Sequence, residues 1–102
     1  MEEIDRRERS RHRLREPVSA EWEGNSISGE ATELSRDSIF VETASPPPED
    51  TEVQITIGSG ADAVRLPCRV RRAEGGGFGG EFEMLSGPQR AALEKLLAGR
   101  PY

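Results

Sequence analysis

The residues of this chain best suited to chemistry are two arginines, Arg11 and Arg15, which stand four positions apart near the start of the sequence. They come just before Pro17, where the first stretch with the alternating pattern of a β-strand begins. A guanidinium group offers planar, bidentate hydrogen bonds to phosphate or carboxylate oxygens, and it also stacks on flat rings. An arginine pair at the mouth of a β domain is therefore suited to holding a small anion.

The spacing of this pair is weak evidence by itself, because this part of the chain is rich in arginine. Arg7 and Arg11 have the same spacing, as do Arg9 and Arg13. An alternative interpretation is a charged helix or tail in which acidic and basic side chains four residues apart attract one another. The pair Arg11 and Arg15 stands out from these others because Arg15 lies nearest to the first strand.

The other reactive side chains give no support to catalysis. Cys68 is the single cysteine and His12 the single histidine, so the sequence predicts no disulfide within the chain, no metal site built on these residue types and no histidine-based catalytic triad. Cys68 fits better as a small buried side chain inside a strand. The glycine-rich run at residues 75–80 lacks the ending of a phosphate-binding loop and predicts a hairpin turn instead. We therefore predict no enzymatic activity, no catalytic residue, no metal and no required cofactor.

Charge is distributed unevenly along the chain, whose net charge is −5. Residues 1–16 carry six arginines against five acids, a net of +1, whereas residues 17–102 carry eight basic and fourteen acidic groups, a net of −6. The acidic body would repel a long polyanion, so we predict no binding to DNA or RNA. No apolar run approaches the ~20 residues of a membrane-spanning helix, which predicts no membrane insertion and a cytoplasmic location.

The elements that must position the arginines are six short strands and one helix. Residues 1–16 contain few apolar side chains and are predicted to be a flexible segment. From residue 17 onward, apolar and polar side chains alternate in six segments separated by turn residues, which favours an antiparallel barrel or sandwich. The apolar faces of these segments begin at Val18, Ile27, Ile39, Val53, Val64 and Phe78.

Helical spacing is confined to the end of the chain. Ser86 and Gln89 have the spacing of a capping box, and a short tail at residues 99–102 follows the helix. The apolar stripe of this helix consists of Ala92, Leu93, Leu96 and Leu97. Two strand residues predict local irregularities, because Gly29 suggests a bend or bulge and Pro67 suggests an edge position or a bulge.

The order of these features is more specific than any one of them. An arginine pair precedes the first strand, and the second strand runs into the sequence Glu33-Leu34-Ser35-Arg36-Asp37-Ser38. A proline-bearing loop, a strand ending in Cys68–Arg72, a glycine turn and a terminal helix follow in that order. This set resembles the PilZ domain, a bacterial barrel module, over nearly the whole of residues 11–98. The resemblance implies an all-β fold with a C-terminal helix, a six-stranded antiparallel β-barrel, here over residues 17–98.

The resemblance also implies a ligand, cyclic di-GMP, which PilZ domains hold with two motifs. Arg11 and Arg15 match the first motif, Arg-x-x-x-Arg, whose arginines hold phosphates and stack on or bond to guanine. The second motif, Asp/Asn-x-Ser-x-x-Gly, falls on the stretch from Glu33 to Ser38, where Ser35 alone matches. These five residues are the candidate ligand-binding residues.

Both departures from the second motif weaken the expected site. Glu33 keeps a carboxylate but adds a methylene, which displaces the acceptor by about a bond length from a hydrogen bond whose optimum is about 2.9 Å. Ser38 replaces a glycine, and a Cβ where a positive φ or a close ligand approach is needed costs on the order of 1 kcal/mol. Asp37 adds negative charge near the phosphates. Because about 1.4 kcal/mol is tenfold in affinity, a micromolar site would become hard to detect.

Two functions follow from this resemblance. The first is a signalling adaptor that acts through contacts with an unidentified signalling or motility protein, with cyclic di-GMP binding weak or lost; Glu33 and Ser38 favour it. The second is a cyclic di-GMP receptor whose arginine-rich N-terminal segment folds over the bound nucleotide; Arg11, Arg15 and Ser35 favour it. A titration with cyclic di-GMP separates the two functions.

Overall fold

The computed structural model describes the backbone of residues 11–98 and the side chains of residues 15–98. Predictions for residues 1–10 and for the tail at residues 99–102 lie outside this part of the chain. Its regular elements, in chain order, are β1 (Arg11–Trp22), β2 (Asn25–Ser35), β3 (Ser38–Glu42), β4 (Glu52–Ile57), β5 (Val64–Glu74), β6 (Gly77–Phe82) and the helix α1 (Gly87–Ala98). A short 3-10 helix, Gly60–Asp62, lies between β4 and β5.

The six strands form a closed barrel in the order β1-β2-β3-β6-β5-β4. Every neighbouring pair is antiparallel, and β4 pairs again with β1, so each strand has a neighbour on both sides. Closure satisfies the backbone hydrogen-bonding groups that an open sheet would expose at its edges. The predicted all-β class with a C-terminal helix is confirmed, and the closed order decides for the barrel over the sandwich.

The first strand begins earlier than the sequence predicted. It starts at Arg11 rather than near Pro17, and its first residues pair with the end of β2. Residues 11–16, which the sequence assigned to a flexible segment, therefore belong to the barrel. The reason is that strand pairing uses backbone groups and does not require apolar side chains, which this segment lacks. A bulge between Arg13 and Glu16 interrupts the register with β2.

Alternating side chains from the strands fill the interior of the barrel. Its fully buried side chains include Phe78 on β6, Leu34 on β2, and Ile55 and Leu66 on the paired strands β4 and β5. Cys68 is fully buried, as predicted for a small side chain inside a strand. Its burial disfavours the thiolate and, with smaller effects of two nearby glutamates, raises the pKa of Cys68 to about 12.

The glycine in the middle of β2 permits a close approach of two strands. A Cβ on Gly29 would collide with the carbonyl oxygen of Glu42 at the end of β3. The irregularity that the sequence placed at Gly29 lies nearby instead, as a shift of register with β3 between Ala31 and Glu33. Gly29 therefore allows β2 and β3 to pack closely. The bulge between β2 and β3 lies further along β2, nearer to the candidate second motif.

The bulge of β5 lies away from Pro67, for which the sequence predicted an edge position or a bulge. Pro67 lies where the ladder to β6 has ended, and its carbonyl accepts a hydrogen bond from the backbone N–H of Glu83 at 3.0 Å. The shift of register lies between Val70 and Arg72, and it leaves both Arg71 and Arg72 exposed on the outer surface. One strand therefore presents two consecutive arginines on the same side of the barrel wall.

The C-terminal helix α1 packs on β5, and hydrogen bonds fix the residue at which it begins. The backbone N–H of Ser86 donates to Oε1 of Gln89 at 2.9 Å, and the backbone N–H of Gln89 donates to Oγ of Ser86 at 3.1 Å, which confirms the capping box. Nε2 of Gln89 also donates to the carbonyl of Arg65 on β5 at 3.2 Å. Leu93 and Leu97 are buried against the core. No helix in residues 11–98 is long and apolar enough to cross a membrane.

Candidate ligand-binding site

The turn between β2 and β3 is built around the hydroxyl group of Ser35. Its oxygen accepts hydrogen bonds from the backbone N–H groups of Asp37 at 3.2 Å and of Ser38 at 3.1 Å, and it lies 3.0 Å from the hydroxyl of Ser38. Ser35 is 6% exposed. A serine stabilises such a turn because its oxygen replaces a backbone acceptor. The hydroxyl of Ser35 is therefore engaged within the protein and maintains the shape of the turn.

The two residues that depart from the second motif flank this turn. Glu33 on β2 lies opposite Phe40 on β3, and Ser38 is the first residue of β3. Ser38 is not among the described residues that have a positive φ, so the backbone cost predicted for its Cβ does not arise in this conformation. Its hydroxyl instead interacts with that of Ser35.

The barrel brings the first motif beside the second. In the backbone register of β1 and β2, Arg11 lies opposite Ser35, and Arg13 lies opposite Glu33. Pairing the start of one strand with the end of the other therefore places two distant parts of the sequence next to each other. The side chain of Arg11 lies outside the described side chains, so its contacts stay a prediction.

Arg15 lies at the bulge of β1, and its guanidinium is paired with a carboxylate of the same surface. Its Nη1 lies 2.5 Å from Oε1 of Glu30 on β2, and the two side chains are 68% and 48% exposed. Pairs this exposed contribute only about 0–1 kcal/mol. A ligand phosphate would compete with Glu30 for Arg15.

A cleft of about 300 Å³ opens on the outer surface beside Ser38, where β2, β3, β6 and β5 lie side by side. The residues that line it are Glu33, Leu34, Ser38, Ile39, Phe40, Arg71, Arg72, Gly79, Gly80 and Glu81. Two of the five predicted site residues, Glu33 and Ser38, thus share one cleft. The hydroxyl of Ser35 lies 3.0 Å from that of Ser38, and Arg15 lies on the neighbouring strand β1.

Comparison with known protein families decides what this barrel is. The family model of the PilZ domain matches residues 5–99. The chain belongs to the PilZ family. This match confirms the resemblance that the ordered motifs predicted. No curated protein sequence matches the chain.

Two solved structures have the same fold as this PilZ domain. The PilZ domain of CeSA from a cellulose-synthesizing bacterium superposes with a TM-score of 0.76 at 22% sequence identity, covering 87% of this chain and 95% of that chain. The Bacillus subtilis inhibitor of motility, MotI/DgrA, superposes with a TM-score of 0.68 at 14% identity, covering 88% of this chain and 48% of that chain. At these identities the two structures establish the shared barrel.

PilZ domains are generally non-catalytic receptor or adaptor domains of cyclic di-GMP signalling, and they also interact with proteins. Membership places this chain among such signalling domains. The residues at the two motif positions of this chain differ from the family pattern at Glu33 and Ser38.

Two arginines on β5 of this PilZ barrel, Arg69 and Arg71, are engaged by acids on β6 or just after it. Nε of Arg69 donates to Glu83 at 2.7 Å, and this hydrogen bond raises the pKa of Arg69. Nε of Arg71 donates to Glu81 at 3.0 Å. Both guanidinium groups are therefore engaged by carboxylates of the protein itself.

Sequence reasoning missed the part of the cleft that lies on β3, β5 and β6. Phe40 was assigned only to a strand, Gly79 only to the segment after a hairpin turn, and Arg72 to a solvated surface. A signal was present in the alternation, because the apolar run around Phe40 must turn one residue outward. The consecutive residues Arg71 and Arg72 likewise break the period of two, which is the mark of a bulge.

Proposed function

We propose that this PilZ domain is a signalling adaptor that acts through protein–protein contacts and binds cyclic di-GMP weakly or not at all. The observation that carries the proposal is the chemistry of the cleft. Two carboxylates, those of Glu33 and Glu81, line it together with the side chain of Ser38. The family motif would instead present a short acid or amide and a glycine at positions 33 and 38.

The formal charges that line the cleft balance, two glutamates against two arginines, so they offer a ligand phosphate no net attraction. Two like charges 4 Å apart repel by about 1 kcal/mol in bulk water and by about 4 kcal/mol near a protein surface. Of the two arginines that line the cleft, Arg71 is hydrogen-bonded to Glu81 and lies 3.9 Å from Asp50. Its positive charge is therefore partly compensated before a ligand arrives.

The matching residues of the two motifs are also engaged within the protein. The hydroxyl of Ser35 accepts two backbone hydrogen bonds of its own turn, and Arg15 is paired with Glu30. A nucleotide would have to replace these interactions, and each replacement reduces the net gain on binding. This supports weak binding even though three of the five motif positions match.

A protein partner is the natural target of an adaptor of this kind. We propose a cytoplasmic signalling or motility protein. One neighbour in fold, MotI/DgrA, is described as an inhibitor of motility. The net charge of −6 over residues 17–102 makes nucleic acid an unfavourable partner.

The second candidate function is a cyclic di-GMP receptor. The register that places Arg11 opposite Ser35 favours it, because it brings the two motifs together as a bipartite site needs. The exposed pair of Arg15 with Glu30 would open at little cost. Since residues 11–16 already belong to β1, a segment that folds over the nucleotide would have to lie before Arg11.

Isothermal titration calorimetry with cyclic di-GMP tests the proposal. We expect the wild-type protein to show no binding or a Kd above about 100 μM, which is weaker than −5.5 kcal/mol. Arg90→Ala, which removes an exposed arginine on α1, is the matched control for Arg15→Ala. Micromolar binding that Arg15→Ala abolishes and Arg90→Ala preserves would overturn the proposal in favour of the receptor.

A genetic test addresses the adaptor half of the proposal. In a strain that lacks this protein, the wild-type chain and the Arg15→Ala variant should restore the signalling phenotype equally, because protein contacts do not need the nucleotide clamp. Restoration by the wild type alone, with both proteins present at equal levels, would contradict an adaptor that works without cyclic di-GMP.

A further inference from the structure

The core of the barrel uses only half of the apolar stripe of α1. Of the four residues that the sequence assigned to this stripe, Leu93 and Leu97 are buried. Ala92 and Leu96, one helical turn apart, stay partly exposed. Leu96 packs against the edge of the core, and both residues also line a groove on the surface.

This groove lies between α1 and the connection from β4 to β5. It has a volume of about 610 Å³, and residues 61–64 line it together with Ala92, Lys95 and Leu96. Its apolar surface comes from Val64, Leu96 and three alanines. Small side chains allow the close approach of a second helix, because the distance between packed helices depends on the side chains at the contact. None of the residues that line the groove also lines the cleft of the candidate site.

One acid and one base flank the groove. Asp62 ends the short 3-10 helix, and Lys95 lies in the last turn of α1. Both side chains are exposed. No ion pair among the side chains of residues 15–98 involves either of them. The groove therefore presents one positive and one negative group, neither of which is compensated within the described part of the chain.

A surface of this kind is complementary to a copy of itself. In a two-fold contact, each residue of one copy meets its counterpart's neighbour on the other copy, and the same pair forms twice. Two such grooves placed face to face would bring Lys95 of each copy beside Asp62 of the other. Leu96 and Val64 of both copies would then be enclosed between the two charge pairs.

The local charge also suits a contact between copies. Residues 17–102 have a net charge of −6, so most of the surface repels a second copy. The 3-10 helix and α1 together carry two acids and two bases, a net of zero. A second copy could therefore approach this face without the general repulsion. It would also carry the matching charges, which a different protein would have to supply separately.

We propose that the groove between α1 and residues 61–64 is a self-association surface, which a second copy of this chain occupies through a two-fold contact. The inference goes beyond the proposed function, because it concerns the contact of the domain with itself and requires no nucleotide. The helix α1 has 12 residues and is about 18 Å long, which places the contact among weak, transient interfaces that bury less than about 1,200 Å². We therefore expect a dimer with a Kd between about 10 μM and 1 mM.

Charge reversal tests this surface without disturbing the core. Lys95→Glu and Asp62→Lys each replace an attractive pair by a repulsive pair, twice in every dimer, and both positions are exposed. Arg90→Glu is the matched control, because it makes the same change of net charge as Lys95→Glu at an exposed position of α1 that does not line the groove. Circular dichroism checks that each variant is folded.

Sedimentation velocity between about 10 μM and about 1 mM protein measures the association. We expect the wild type and Arg90→Glu to form a dimer as the concentration rises, and we expect Lys95→Glu and Asp62→Lys each to weaken dimerisation at least tenfold. An equimolar mixture of these two reversal variants should associate again, because each copy supplies the charge that the other has reversed. This recovery is specific to a two-fold contact between the two positions.

Cross-linking gives an independent readout, because Lys95 is the single lysine of the chain. A carbodiimide joins an amine to a nearby carboxylate, so we expect it to link Lys95 to Asp62 of a second copy. In a mixture of isotope-labelled and unlabelled wild type, mass spectrometry should find this peptide pair with the label in one peptide only. A link found only between equally labelled peptides would lie within one chain and would overturn the two-fold contact.

Several sedimentation results would also overturn the self-association surface. A wild type that stays monomeric up to about 1 mM would leave the groove to a different protein. Dimerisation that Lys95→Glu leaves unchanged, or that Arg90→Glu weakens equally, would place the contact elsewhere. A mixture of folded reversal variants that does not associate would contradict the pairing of Lys95 with Asp62. Because none of these samples contains cyclic di-GMP, failure of this inference is distinguishable from failure of the proposed function.

Discussion

Gly79 and Gly80 are neighbours on β6, yet they face opposite sides of the barrel wall. A Cβ on Gly80 would collide with Sγ of Cys68 in the core, whereas a Cβ on Gly79 would meet only Phe40 and Arg72 at ordinary contact distances. The inner face of β6 is therefore filled, and the outer face is open. The inner side of β6 therefore belongs to the core, and its outer side has room beside the cleft.

The difference has a practical consequence, because substitutions on the two faces should have separable effects. The interior is closely packed, so removing or adding a single group there changes the free energy of unfolding. Side chains on the outer face contact solvent or weakly held ion pairs, so changes there should alter ligand contacts while the fold persists. Predictions that compare matched residues on the two faces test this separation.

The largest expected effect distinguishes two phenylalanines. Phe78 is fully buried on β6, so Phe78→Ala should lower the free energy of unfolding by about 3–5 kcal/mol through lost burial and a cavity. Phe40 is only partly buried on the outer face, so Phe40→Ala should cost clearly less. Urea unfolding followed by circular dichroism measures both. Equal losses in the two variants would contradict the division of the wall into a filled face and an open face.

The adjacent glycines give the next largest contrast. Gly80→Ala should destabilise the barrel by about 1–3 kcal/mol, because the methyl overpacks the core against Cys68 and the carbonyl of Arg69. Gly79→Ala should change the free energy of unfolding by no more than about 0.5 kcal/mol. The midpoints of parallel urea titrations give both values. A Gly79→Ala variant as unstable as Gly80→Ala would show that the outer face is packed after all.

A smaller effect concerns the pH dependence of the inner face. Burial raises the pKa of Cys68 from its ordinary value of 9.0 to about 12, so the folded protein keeps a proton that the unfolded chain releases above that ordinary value. Stability linked to Cys68 is therefore complete below pH 9.0 and declines as the pH rises toward about 12. Near pH 10 the loss should be about 1 kcal/mol.

Cys68→Ala is the control for this decline, because it removes the titrating group. The difference in unfolding free energy between wild type and variant should shrink as the pH rises through this range. A difference that stays constant would mean that the folded protein does not protect the thiol. Slow alkylation of the native wild type by iodoacetamide is expected for the same reason, since the thiolate is the reactive form.

The sequence predicted the barrel well because its alternation records which face of each strand is buried. It also predicted the helix cap from Ser86 and Gln89. It did not predict that β1 starts at Arg11, since that start depends on backbone pairing with β2, which leaves no mark on side-chain polarity. Single-residue cues did not locate the bulges, because the register shifts lie beyond Gly29 and Pro67; Pro67 instead lies past the end of the ladder to β6, as its edge alternative predicted.

The candidate site was predictable in part. The motif residues could be placed by resemblance, and the register of β1 with β2 puts Arg11 opposite Ser35. The cleft could not be placed, because Phe40, Gly79 and Arg72 come together only through the pairing of β3, β6 and β5. The internal partner of Arg15, Glu30, also depends on strand register and not on a local pattern.

The most direct test of the central claim restores the second motif. The claim is that Glu33 and Ser38 weaken cyclic di-GMP binding at an otherwise assembled site, so Glu33→Asp combined with Ser38→Gly should strengthen it. Calorimetric titration of the wild type and the double variant, side by side, should show at least a tenfold gain, or about 1.4 kcal/mol. A wild type that already binds at micromolar concentration, or a folded double variant with no gain, would contradict the claim.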